Sequence, residues 1–182
     1  RLPAIQKRFG IAEQELDTIV RWMSTARIHW GLNASHKQRF VNTQQSSDIN
    51  TWEWGLNRLL VGFAQADHKV LQGELLTLPD AEGQQTQLLG RLCALLEQLQ
   101  AHLQALKQSR NAQQWQTYLL GLRQRLFSQD DTNERAIGVI DRGITELVNH
   151  CSMAGYKDEI SIFVLRDALS HSFTAPDAIN QF

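Results

Sequence analysis

Between Gln84 and Ser109 the sequence places Leu88, Leu92, Leu95 and Leu99 in alternating steps of four and three, with Leu106 extending that seam. Leu89, Leu96 and Leu103 repeat every seven residues beside it. A period near 3.6 is that of an α-helix, and two adjacent seams make an apolar face broad enough for two neighbours. The opposite face is rich in glutamine and poor in charge. A free coiled coil carries charged flanking positions, so this helix belongs to a bundle.

The same period runs through the other long segments. Pro3 to Phe9 reads as a short amphipathic turn or helix stopped at Gly10. Glu13 to Arg27 follows as a helix, with Glu13 and Glu15 at the positive end of its dipole and Leu16, Ile19, Val20 and Met23 inward. Ile28, Trp30 and Leu32 alternate as in a short extended piece, with Trp30 expected in the core. His36 to Asn50 is polar and reads as a loop, mobile around Gln44 to Asp48. Thr51, or Asn50 before it, caps a helix running to Ala64, with Trp52, Leu56, Leu59, Leu60 and Phe63 on its inner face. Trp54 cannot share the centre of that face with Trp52. It is left to pack on a second face, against a neighbouring helix, a partner chain or a ligand.

Gln65 to Gly83 is broken by Gly73, Pro79 and Asp80 and reads as a loop that Leu75, Leu76 and Leu78 tuck onto the core. Asn111 caps Ala112 to Phe127, with Trp115, Tyr118, Leu119, Leu122 and Leu126 facing in. Asp131, followed three residues on by Glu134, is close to a capping box for Asn133 to Cys151. There Ile137, Ile140, Ile144, Leu147, Val148 and Cys151 form the inner stripe. Ser161 or Asp158 starts a last helix, which Pro176 stops. The expectation is one all-α, bundle-like domain of about seven helices over residues 1–182.

A chain of 182 residues, 42% hydrophobic, can bury one real core. Its formal net charge of -1 gives no global pull on nucleic acid, so a DNA contact would be a local patch. Cys93 and Cys151 sit in helical apolar patterns and read as reduced, buried thiols of a cytosolic protein. No membrane span or signal peptide is visible. The chain starts Arg1-Leu2-Pro3 and ends Asn180-Gln181-Phe182, which reads as a piece of something longer.

Catalytic signatures are missing. There is no phosphate-binding loop, no C-x-x-C, no H-E-x-x-H and no G-x-S-x-G elbow. Adjacent His150 and Cys151 diverge by about 100° on a helix and do not share a metal. Cys93 lies among leucines, which disfavours a thiolate. Asp130, Asp131 and Glu134 could gather a divalent ion, but helix capping accounts for them and the lysine and strand of a nuclease core are missing. No active site and no cofactor are expected in this chain, and an independent helical enzyme has no supporting constellation.

Thr51 to Ala64 resembles the pattern T-W-x-(F/W)-G-L-(N/D)-R-L-L-x-G-(Y/F)-A of the exodeoxyribonuclease V gamma subunit (RecC) family. Leu16 to Leu32 resembles that family's helix followed by G-(I/V)-R-W-G-(I/L/V)-(D/N), and Ile162 to Leu169 its later L-L-R-D-x-L. Three motifs stand in order across nearly the whole chain. There are departures: Ala26-Arg27 stands where the family tends to have glycine, and His29 and Glu53 where it tends to have arginine.

The resemblance implies a helicase-like architecture whose ATP-binding motifs are lost, working beside a RecB helicase–nuclease and a RecD helicase that use ATP and Mg. It implies splitting of DNA ends, channelling of the separated single strands and help in recognising Chi, during double-strand break repair by homologous recombination in the bacterial cytoplasm. An all-α chain fits the 2B subdomain inserted in the second motor-like domain. The DNA-contact candidates are then Arg27, His29, Lys37, Arg39 and Arg58, with His36 beside them. Arg58 has acids such as Glu15 or Asp17 as alternative partners, and Trp54 is the candidate partner contact. The other reading is a scaffold that docks partner subunits without touching DNA.

Overall fold

The computed structural model describes residues 2–40, 47–64 and 83–174. Among them are eight α-helices and no strand: α1 (Pro3–Phe9), α2 (Leu16–Thr25), α3 (Ala34–Gln38), α4 (Trp52–Ala64), α5 (Gly83–Ala105), α6 (Ala112–Leu126), α7 (Glu134–Met153) and α8 (Ile162–Thr174). A 3-10 turn, Glu13–Glu15, leads into α2. The described residues are all-α, as the periodicity predicts. The additional helix is α3, which takes His36 to Gln38 out of the expected loop. Asn33 makes it possible by accepting the His36 N–H at 3.0 Å. Residues 41–46, the segment from Gln65 to Glu82 with Leu75, Leu76 and Leu78, and Pro176 lie outside the described residues.

The chain divides into two compact units, Phe9–Glu97 and Arg1–Arg8 with Gln98–Phe182. In the first, Ile19, Trp22, Ala26, Ile28, Leu59, Leu88, Leu89 and Leu92 make the core. The phase of α2 differs from the expected one. Trp22 is 4% exposed and Val20 is 58% exposed. Ile19, Trp22 and Ala26 lie three and four apart and form the buried stripe, which puts Val20 one step round the helix, in water. For the same reason Leu59 is buried in α4 and its neighbour Leu60 is not.

Helix α2 ends in a Schellman turn. The Ile28 N–H donates to Met23 O at 2.8 Å and the Arg27 N–H to Ser24 O at 3.1 Å. The residue between helix and exit must be left-handed, and Arg27 has φ 54°. A side chain there costs ~1–2 kcal/mol of backbone energy. Arg27→Gly removes that strain and adds unfolded-state entropy of ~0.5–1 kcal/mol. The expected result is a small rise in thermal midpoint, measured by circular dichroism, equivalent to under about 1 kcal/mol.

The chain leaving α2 is laced to the start of α4. His29 and Trp30 donate their N–H groups to Asn50 O at 3.0 and 3.4 Å, and Trp52 and Glu53 donate theirs to Gly31 O and Leu32 O at 3.0 and 2.9 Å. Thr51, fully buried, caps α4 as its sequence predicts: its Oγ1 accepts the Trp54 N–H at 3.2 Å and donates to Asp48 O at 2.6 Å. The expected extended piece is therefore one side of this clasp. Its backbone groups bond α4's first turn, and Gly31, at φ 82°, bends the chain directly after Trp30. That bend leaves Trp30 at the surface, 43% exposed, where a core position is predicted.

In the second unit, Trp115, Ala112, Val148, Ile160 and Leu165 make the core. Asn111 caps α6 as predicted, with a reciprocal pair of bonds to Gln114 of 2.9 and 3.1 Å. Arg110 and Ile160 exchange two backbone bonds of 3.2 and 2.8 Å. Arg123 forks onto Asp141 at 3.0 and 2.6 Å, tying α6 to α7. Leu103 and Ile140, at the edges of their stripes, are exposed and not inward.

The predicted Asp131 cap of α7 is not formed. Asp130 closes that turn instead, accepting the Thr132 N–H and hydroxyl at 3.0 and 2.6 Å, with Lys7 of α1 at 2.8 Å. The hydrogen bond from Lys7, then that from Thr132, holds the Asp130 carboxyl down at about 2. Asn133 precedes α7 with its side chain turned back to the Asp130 N–H and Ser128 O, at 3.0 and 2.8 Å.

Candidate functional site

Residues 18–47 contain no aspartate or glutamate and four cations: Arg21, Arg27, Lys37 and Arg39. On a chain of net charge -1 this is a strong local excess. Its first following acid, Asp48, is engaged in the fold and accepts the Ala34 N–H at 2.5 Å. A scan for acid-free windows would have found this segment from sequence. A scan for basic clusters sees only Lys37 and Arg39.

The structure sorts the five predicted DNA-contact candidates. Arg27, His29 and Arg39 have exposed side chains. Lys37 is half-buried, with its ammonium 5.6 Å from the centre of the Trp30 ring, and it donates to the carbonyls of Ser47 and Ile49. It fixes the loop end as well as contributing charge. Arg58 lies over Trp54 at 4.3 Å and reaches Ala26 O at 3.4 Å. Glu15, offered as its partner, faces Arg91 at 3.6 Å. Trp54 is half-buried under Arg58 of its own helix, four residues on.

Around Lys37 stands an aromatic group. Phe40 meets Trp30 edge to face at 6.4 Å and His36 at 5.3 Å. The His36 Nδ1 accepts the Leu32 N–H at 3.1 Å. Phe40 is 70% exposed. Sequence reasoning missed this group because Trp30 was assigned to the core.

The second unit holds an open depression of about 500 Å³ lined by His102, Gln114, Thr117, Tyr118 and Arg125. The His102 Nδ1 lies 3.0 Å from the Tyr118 hydroxyl, and its buried Nε2 has no hydrogen-bond partner among the described residues. Burial, then the Arg125 charge, lowers the His102 pKa and keeps the ring neutral. Arg110 stacks over both Tyr118 and Trp115, at 4.4 and 4.8 Å. Cys93 and Cys151 are free, half-buried thiols, and burial, then Glu97, pushes the Cys93 thiol up. Among the described residues no group of His, Cys, Asp or Glu converges to hold a metal ion, and no helix is long and apolar enough to cross a membrane.

The family described as "RecBCD enzyme subunit RecC fourth domain" matches residues 1–177. The RecBCD enzyme subunit RecC of Buchnera aphidicola (subsp. Schizaphis graminum) is 25% identical over 171 residues, 92% of this chain and 16% of that protein. That of Escherichia coli K12 is 25% identical over 169 residues, 93% of this chain and 15% of that protein. That of Mycobacterium tuberculosis H37Rv is 34% identical over 97 residues, 52% of this chain and 9% of that protein. The chain thus spans about a sixth of the length of the first two relatives. With a match over nearly its whole length, the chain belongs to the RecC fourth-domain family.

Proposed function

We propose that this chain is a non-catalytic module of a bacterial, cytoplasmic RecBCD-type complex, guiding DNA during Chi-dependent double-strand break repair by homologous recombination. In this reading it corresponds to a 2B-like helical subdomain, contacts RecB-like and RecD-like subunits, and leaves ATP hydrolysis, Mg binding and strand cleavage to them. Its ligands are DNA ends and the single strands separated from them. The observation that carries the reading is the acid-free segment 18–47, which presents Arg27, His29 and Arg39 at the surface of a nearly neutral chain.

Arg39→Ala tests it. The side chain is exposed, so the fold is expected to stay intact. Binding to labelled forked DNA should weaken evenly across sequences, and the slope of log affinity against log salt should fall by about one unit. An unchanged affinity and slope would remove Arg39 from the interface.

A second reading, docking of partner subunits without DNA contact, draws on a different face. Phe163 and Val164 of α8 are both largely exposed, as is Met153 at the end of α7. Loss of partner association in Phe163→Asp, with DNA binding unchanged, would favour docking at that face.

A further inference from the structure

Single exposed aromatics are ordinary on a protein surface. Trp30 and Phe40 are different because they are exposed together and held in place. The Trp30 N–H is bonded to Asn50 O at 3.4 Å, Gly31 fixes the bend after it, and Lys37 lies over its ring. Phe40 is positioned by its N–H bond to Lys37 O at 2.9 Å and by its edge contacts with Trp30 and His36. The two rings are thus preorganised at the surface, inside the segment that carries four cations and no acid.

We propose that Trp30 and Phe40 form a stacking platform for the unpaired bases of a single-stranded nucleic acid, whose phosphates are met by Arg27, His29 and Arg39. The assignment rests on the DNA-guiding reading above and names which form of DNA the site takes. Aromatic faces set among cations are the chemistry of single-strand binding: the charges track the backbone, and each base offers a π-face regardless of sequence. A duplex hides those faces, so the rings add nothing to its binding. A protein partner would meet the cations with acids and would show no such difference between DNA forms.

The test uses the full chain with fluorescein-labelled oligodeoxythymidine and a hairpin duplex of equal length. Oligodeoxythymidine should bind more tightly than the duplex and should quench tryptophan fluorescence. Trp30→Leu and Phe40→Leu should each weaken oligodeoxythymidine binding roughly tenfold, leave duplex binding within about twofold, and keep the thermal midpoint. Trp30→Leu should also remove most of the quenching. Phe40, 70% exposed, is the variant least able to disturb the fold. Equal loss for both DNA forms, or no loss for either variant, overturns the platform. If duplex binding stays salt-dependent in that case, the DNA-guiding reading still stands. If the wild type binds neither form, both readings fail. Intact DNA binding with lost association to a partner subunit would reassign the rings to protein docking and likewise overturn the proposal.

Discussion

Gly55→Ala is expected to destabilise the Phe9–Glu97 unit by about 2 kcal/mol, against the ordinary preference of helices for alanine. Gly55 sits in the first turns of α4, where the helix crosses the chain leaving α2. A methyl group there would lie 2.2 Å from Ile28 Cγ1, 2.6 Å from its Cδ1 and 3.5 Å from Ala26 Cβ. Ile28 and Ala26 are both buried, and Cγ1 is close to the backbone, so neither can swing aside. The helix would have to lift, stretching the bonds from Trp52 and Glu53 to Gly31 and Leu32. Overpacking of this kind costs ~1–3 kcal/mol, and the contact here belongs at the upper end. The helix-propensity gain of ~1 kcal/mol offsets part of it.

Gly90 in α5 provides the control. A methyl group there meets nothing within 4 Å, so Gly90→Ala should stabilise by up to about 1 kcal/mol. Urea denaturation of both variants checks the pair. Stabilisation by both would mean that α4 does not approach Ile28 this closely.

Trp115→Ala is expected to cost more, about 3–5 kcal/mol, and to unfold much of the second unit at modest denaturant. Trp115 is 1% exposed and anchors that core. Its Nε1 donates to Ile160 O at 2.8 Å, linking the start of α6 to the chain that enters α8. Its ring also carries the Arg110 guanidinium and the edge of Tyr118 at 5.9 Å. Truncation removes the packing, empties a large volume and loosens the Arg110–Ile160 exchange. Trp115→Phe keeps most of the volume and loses the hydrogen bond, so it should fall well short of the alanine loss. Equal losses for the two would show that the hydrogen bond, and not the ring, holds the core.

The helices were legible in the sequence because their apolar periods are long and their caps are local. Thr51 and Asn111 need only residues three positions away, so their capping could be read directly. The phase of α2 could not. Val20 and Trp22 are both apolar and two steps apart, and which one is buried depends on where Ala26 and Ile28 dock against Gly55. That contact spans about thirty residues of sequence and leaves no local trace. The position of Trp30 failed for the same reason: alternation with Ile28 and Leu32 suggested a core strand, while the backbone is consumed by α4. Asp131 was misread because Asp130 offers the same chemistry one residue earlier, and Lys7, far away in sequence, decides between them.

The candidate site was legible in part. Arg27, His29 and Arg39 were singled out as DNA-contact candidates and are exposed, while Lys37 and Arg58 turned out to be bonded into the fold. The resemblance to a family with glycine before Ile28 has a physical counterpart in the left-handed backbone at Arg27. The aromatic pair beside these cations became visible only once the clasp between α2 and α4 had put Trp30 at the surface.

The most direct test is the affinity of this chain for labelled forked DNA, followed by fluorescence anisotropy through a salt series. Two phosphate contacts at Arg27 and Arg39 predict a log–log slope of about -2. A lack of binding at about 50 μM protein, inside the ~10⁻⁴–10⁻⁶ M range of non-specific DNA affinity, or binding indifferent to salt, would contradict the account.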